Sequence, residues 1–253
     1  MSKVLVIGDS CLDRFVYCRC ERLCPEAPVP VLDIIETQES LGMAGNSYRN
    51  VISLIPKDDC CLITNPGNEH VTKTRYVEKK TNHMFCRIDS HSKIPHITAE
   101  VFEKLLRDLE NFSAVIISDY NKGFLNEEDI HRIGENHPLV FLDTKKTLGK
   151  WAESMTFIKV NRTEYHNSLP FINEKLKDKI IQTLGENGCQ YLGNIWSVKK
   201  VEVKNLSGAG DAFLAALVVR YIETGCMSEA IKFANDAATS VVQRIGMATV
   251  GEL

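Results

Sequence analysis

The stretch Lys3 to Asp9, KVLVIGD, is an unbroken apolar run that ends in Gly-Asp. A run without polar alternation is a strand buried on both faces, and its glycine and acid sit where such strands deliver a site, at the C-terminal edge of a sheet. Asp9 and Asp13 stand at that mouth. Similar runs recur at Cys60 to Thr64, Ala114 to Asp119, Val140 to Asp143, Phe157 to Val160 and Lys179 to Leu184, several followed by helical stretches. The alternation predicts a mostly parallel central sheet with helices on both faces. Two segments depart from it. Val29 to Glu36 follows a proline-rich entry and Thr72 to Asp89 alternates polar with apolar residues, so residues 16–36 and 72–89 are expected to form a small antiparallel flap, or lid.

The last third is the most helical. Ala209 to Thr224 is strongly apolar with Gly225 as its stop, and Ser228 is a candidate cap for a second helix to Val242. No repeat or linker divides the 253 residues, so a single domain is expected. A net charge of -3 provides no basic field for nucleic acid. No run reaches the roughly 18 apolar residues of a membrane span, and nine scattered cysteines fit a reducing, cytoplasmic setting. Cys18, Cys20 and Cys24 lack a second ligand pair at zinc spacing. A small-molecule partner is the class that remains.

The chemistry concentrates at Asn205-Leu206-Ser207-Gly208-Ala209-Gly210-Asp211, between a strand-like Val198 to Val203 and the long apolar helix. Small residues admit a ligand close to the backbone, and a helix start offers free N–H groups to an anion. Asp211, in the first turn, is placed to take a proton from a hydroxyl while Gly208, Ala209 and Gly210 hold phosphoryl oxygens; the plain alternative is a tight turn and a helix-stabilising acid. Asn161 and Glu164 lie three apart where a strand meets a helix. They can face one hydrated magnesium ion, or form a reciprocal helix cap. Gly42 to Asn46 is a glycine-rich turn before a helix Ser47 to Ile55, able to bring backbone and the Asn46 amide against sugar hydroxyls, or simply to close a turn. Asp119 and Lys122, ending a strand at the same edge, are candidates for sugar and γ-phosphate, or for a turn.

These motifs, in this order, resemble the ribokinase-like, or PfkB, carbohydrate kinases over nearly the whole chain. The family's D-T-x-G-A-G-D matches residues 205–211. By that resemblance Asp211 is the base and Gly208 to Gly210 the anion hole. N-x-x-E matches Asn161 and Glu164 beside ATP and magnesium, and the sugar-binding acid and G-G-x-x-x-N turn match Asp13, Gly42 and Asn46. Thr183 to Gly188 resembles the family's T-x-G-x-x-G, implying nucleotide contacts at Leu184, Gly185, Glu186 and Gly188. Asn235 and Ala238, on one helical face, are candidates for the adenine site or, as the favoured alternative, for core packing. The strings DSCLDRFVY at Asp9, PEAPVPV at Pro25 and SDYNKG at Ser118 resemble kinases that phosphorylate D-glycero-D-manno-heptose 7-phosphate at C1. Ending at Leu253 without a nucleotidyltransferase segment, the chain would be a stand-alone kinase. Met43 replaces a usual glycine, and Asn205 and Ser207 replace Asp and Thr where relatives hold a monovalent cation.

Arg14, Lys73, Arg75 and Arg87 are the cations expected around a sugar phosphate, with solvated strand charges as their alternative. Open flap edges imply a homodimer through the lid. The other readings are a kinase for an unphosphorylated sugar or nucleoside and a non-catalytic binding paralogue.

Overall fold

The computed structural model describes residues 3–90, 93–244, 246 and 248–252. The apolar runs form β1 (Val4–Gly8), β4 (Cys60–Thr64), β7 (Ala114–Asp119), β8 (Val140–Thr144), β9 (Phe157–Asn161) and β10 (Ile180–Thr183). With the short β11 (Cys189–Tyr191) and β12 (Asn194–Trp196) they make one sheet in the order β12-β11-β10-β9-β8-β7-β1-β4. All pairs from β4 to β10 are parallel, and the last two are antiparallel.

Both faces are covered, which is why the strands read as continuous apolar runs. On one face Leu5, Ile7, Val115 and Ile117 meet α2 (Ala99–Asp108), α3 (Glu127–Asn136) and α5 (Glu174–Lys177). On the other, Val4, Val6 and Ile116 meet α6 (Ala209–Thr224) and α7 (Met227–Val242), beside α1 (Ala44–Ile52). The short α4 (Arg162–Ser168) follows β9. Gly225 ends α6 in the left-handed region (φ 65°), its N–H donating to Tyr221 O.

The lid is a separate sheet, β3-β2-β5-β6, from β2 (Ser10–Leu23), β3 (Pro30–Met43), β5 (Thr72–Glu78) and β6 (Met84–Asp89). It departs from the expectation in two ways. It begins at Ser10 rather than near residue 16, and it is mixed, because β5 runs parallel to β2. Both strands continue outward from β1 and β4, which are themselves parallel neighbours, so the direction is inherited.

Other boundaries moved for local reasons. Val198 to Val203 is not a strand: it extends past β12 without a partner, and Lys204 and Asn205 donate their N–H groups to Val242 O at the end of α7. Ser228 does not cap α7, which starts at Met227; its hydroxyl accepts from the Trp196 indole instead. Gly45 and Asn46 belong to α1 rather than to a turn. Met43 holds the turn before α1 at φ 59° and ψ -128°, unusual for a residue with a side chain, and its side chain is buried in the core.

Candidate active site

At the C-terminal ends of β7 to β10 lies a cleft of about 630 Å³, with Asp211 at its base. Gly208 precedes α6 at φ 82°, and a Cβ there would come within 2.9 Å of the Asn46 amide nitrogen. The motif glycine is therefore a requirement of both backbone and packing. Asp211 is buried in the first turn of α6. Its Oδ2 accepts from Asn46 Nδ2 at 2.8 Å, and its Oδ1 from the Tyr120 hydroxyl at 2.9 Å, with Ser47 Oγ at 3.3 Å. Burial pushes this carboxyl above its ordinary value, and the Asp143 charge adds to the rise; the bonds from Asn46 and Tyr120 and the Lys159 ammonium oppose it. A buried, basic carboxylate at a helix N-terminus is equipped to accept a proton next to an anion.

Three charged groups of the cleft escaped the sequence reading. Lys159 and Asp143, on β9 and β8, form a buried ion pair at 2.5 Å, and Lys159 Nζ approaches the backbone at Gly210. Burial pulls the Lys159 ammonium down, but Asp143 outweighs it and holds it protonated. Asp143 Oδ1 is buried without a hydrogen-bond partner. Lys145, after β8, pairs with Glu164. A charge inside an apolar strand, as in FIKVN, was the available signal, since such residues are rarely buried unless paired or used.

Asn161 and Glu164 do form the reciprocal cap: Asn161 Oδ1 accepts from the Glu164 N–H at 2.9 Å and Glu164 Oε2 from the Asn161 N–H at 2.8 Å. Asn161 also lines the cleft, together with Leu184, Gly185 and Glu186. Gly188 does not; it closes the turn at φ 87° against the Trp196 carbonyl, where a Cβ would collide. Next to the cleft, and sharing Gly185 and Gly210 with it, is an apolar cavity of about 470 Å³ lined by Val201, Leu206, Ala209, Phe213 and Asn235.

On the lid, cross-strand pairing puts Asp13 beside Lys73, Phe15 beside Arg75, and Arg75 beside Arg87, all on one face. Arg14, one residue out of phase, pairs with Glu39 at 2.6 Å on the opposite face and cannot join that cluster within its own chain. Arg75 donates to Asp13 at 2.7 Å, and Arg87 is bidentate to Asp89. Lys73 has no carboxylate partner among the described residues; its ammonium lies 4.9 Å from the centre of the Tyr120 ring. Gly42 is where the Asp13 carboxylate packs, so a Cβ there would displace it. Asp119 is held by Lys146 at 2.7 Å and by Thr144, and Lys122 is exposed with its N–H on Asp9, so neither lines the cleft. Asn205 donates to Gly246 O at 2.9 Å, fastening the motif loop to the segment after α7.

Residues 143–252, which include Asn161, Glu164 and Asp211, match the profile of the pfkB family of carbohydrate kinases. The chain carries a pfkB family carbohydrate kinase domain. Curated relatives include the bifunctional protein HldE of Helicobacter pylori strain Shi470, 31% identical over 98% of this chain and 64% of that protein. HldE of Helicobacter hepaticus is 32% identical over 97% and 61%. The chain thus spans less than two thirds of the length of these relatives. The first alignment runs over 301 positions against 253 residues here, so the relatives carry segments this pfkB domain lacks. Among solved structures, ribokinase of Thermotoga maritima superposes with a TM-score of 0.72 at 16% identity, covering 98% of this chain and 95% of that one. Ribokinase of Arabidopsis thaliana, complexed with ribose and ATP, gives 0.67 at 15% over 100% and 96%. The fold is ribokinase-like.

Proposed function

We propose that this pfkB domain transfers the γ-phosphoryl group of ATP to a sugar hydroxyl, with Asp211 as the general base. The buried Asp211 carboxylate at the start of α6, inside a cleft that lies beside an apolar cavity and shares Gly185 and Gly210 with it, carries this reading. The cavity beside Asn235 suits an adenine, and the cleft between Leu184 and Gly210 its phosphates. The acceptor hydroxyl would lie between Asp211 and the γ-phosphorus, losing its proton to the carboxylate as its oxygen bonds to phosphorus, while ADP departs with the electron pair of the broken bond. Lys159 and the amides of Gly208 to Gly210 would neutralise the moving charge.

Asn161 and the unpartnered Asp143 Oδ1 would supply hard oxygen donors at the cleft, with Glu164, which caps Asn161 and pairs with Lys145, acting through water. Among the described residues no group of three or more acidic, histidine or cysteine side chains forms a metal cage. That donor set fits a magnesium ion which takes most of its ligands from phosphates and water. When bound, magnesium would offset phosphate charge.

For the acceptor, the inner lid face with Lys73, Arg75 and Arg87 and the likeness to HldE favour a sugar phosphate, D-glycero-D-manno-heptose 7-phosphate at C1 being the best match. One observation favours an unphosphorylated sugar instead: Arg75 and Arg87 are already neutralised by Asp13 and Asp89. Sugar-dependent ADP release over a panel of heptose 7-phosphate, fructose phosphates, ribose and adenosine separates the two. If the phosphate is held by the lid, Lys73→Ala or Arg87→Ala raises the apparent constant for it about tenfold or more and leaves that for ATP unchanged. Preference for a neutral sugar would overturn the heptose reading alone. A homodimer through the lid and a cytoplasmic setting complete the proposal; all nine cysteines are free.

A further inference from the structure

Tyr120 occupies a junction that the reaction as written does not use. It follows β7, its N–H donates to the buried Asp9 carboxylate at 2.7 Å, and its side chain points into the cleft. The hydroxyl donates to Asp211 Oδ1 at 2.9 Å. Two ammonium groups flank the ring, Lys73 of the lid at 4.9 Å from its centre and Lys145 at 5.6 Å.

We infer that Tyr120 is a positioning residue for the base: it occupies Oδ1 as a permanent hydrogen-bond donor and so leaves Oδ2 as the oxygen that takes the acceptor's proton. The inference rests on the kinase reading for its mechanism, though not for its test. A carboxylate oxygen accepts two hydrogen bonds. Oδ1 already faces Tyr120 and Ser47, whereas Oδ2 has Asn46 alone and keeps a free lone pair. A phenol suits this task better than a water or a serine. Burial, with the Asp211 and Asp143 charges, lifts its pKa well above the ordinary phenol value, so it stays protonated and donates throughout the working range. Two cations against the ring face hold it in one orientation and polarise the O–H bond. Because Lys73 belongs to the lid, the clamp on the ring is complete only when the lid stands where it does here.

The other charged or titratable groups facing Asp211 are Cys11 of the lid root, Asp143 of β8 and Lys159 of β9. None of them changes in Tyr120→Phe, which keeps the ring and both ammonium contacts and removes only the donor. Carboxyl-carbon NMR of aspartate-labelled protein, with the Asp211 signal assigned by its loss in Asp211→Asn, reads the base directly. Losing a donor to the charged form should raise the Asp211 titration midpoint by about one unit, a tenfold gain in proton affinity. The acidic limb of the pH profile for sugar-dependent ADP release should move up by the same amount, with the ATP constant unchanged. An unmoved Asp211 midpoint overturns the positioning role whatever the enzyme assay gives. A moved midpoint in a protein that releases no ADP upholds Tyr120's hold on the Asp211 carboxyl and defeats the kinase reading instead.

Discussion

Asn46 Nδ2 donates to Asp211 Oδ2 at 2.8 Å across 165 residues of sequence, joining the first helix to the start of α6. Both side chains come from short motifs, and neither motif explains the other until the bond is seen. The bond lowers a carboxyl pKa that burial raises, so it helps set how much of this carboxyl is ionised.

Asp211→Asn removes that ionisation. Turnover should fall about a hundredfold or more with little change in ATP binding, as for loss of a general base. Stability should move the other way. A carboxyl raised in the folded state favours folding while protonated and loses that contribution as pH climbs from the ordinary carboxylate range through the raised pKa. The variant is spared this loss. Thermal melts should therefore show its Tm advantage over wild type growing with pH, and a flat difference would contradict the raised pKa.

Lys159 and Asp143 are both buried, so removing one partner strands a charge. Lys159→Met should cost about 3–5 kcal/mol in denaturant unfolding. Adding Asp143→Leu should recover most of that stability but none of the ADP release. Restored activity in the double variant would remove Lys159 from the site.

Glu164→Gln preserves an acceptor for the Asn161 N–H, because glutamine also closes a capping box. The melting temperature should hold while the magnesium concentration for half-maximal rate rises severalfold, more than the sugar constant does. An unchanged magnesium curve would leave Glu164 with its cap and its Lys145 partner only.

Gly42→Ala places a methyl group where the Asp13 carboxylate lies and frees Arg75 from its partner. If Asp13 holds the acceptor, the sugar constant should rise about tenfold or more at constant ATP constant, since a charged hydrogen bond would be lost. Equal effects on both substrates would mean that the lid, rather than Asp13, had moved.

Ile34 and Ile88 are 65% and 57% exposed on the outer lid face, where cross-strand pairing puts them with Arg14. An exposed apolar sheet face of this kind is usually covered by a second copy. Sedimentation at micromolar concentration should show twice the 28.4 kDa chain mass, and Ile34→Lys should return the monomer. A wild-type monomer would contradict the lid dimer.

The parallel sheet was legible because every strand buried on both faces wrote the same unalternating run, from KVLVIG to FIKV. Contiguous site motifs were legible for a related reason: Gly208 and Gly42 mark close approaches that no larger side chain fits. Tyr120, Lys145 and Asp143 were missed because each looks like an ordinary loop or strand residue until three strand ends converge. Arg14 stands on the lid face opposite Lys73, Arg75 and Arg87, because a cluster of cations in sequence says nothing of the pleat that separates them. Val198 to Val203 has strand composition but no neighbour to pair with, and pairing is not a local property.

Among the described connections, the lid joins the body through β1 into β2, through β4 into β5, and from β3 through Met43 into α1. Mechanically it is a lever whose long arm carries the tip near Pro30 and whose short arm is α1. Asn46 and Ser47 ride on that short arm, both in contact with the base. Any movement of the lid would therefore pass along the backbone to α1 and to the two hydrogen bonds it makes with Asp211. Substrate seated under the lid would thus reach the carboxylate as torque delivered through the backbone, in addition to any contact it makes itself.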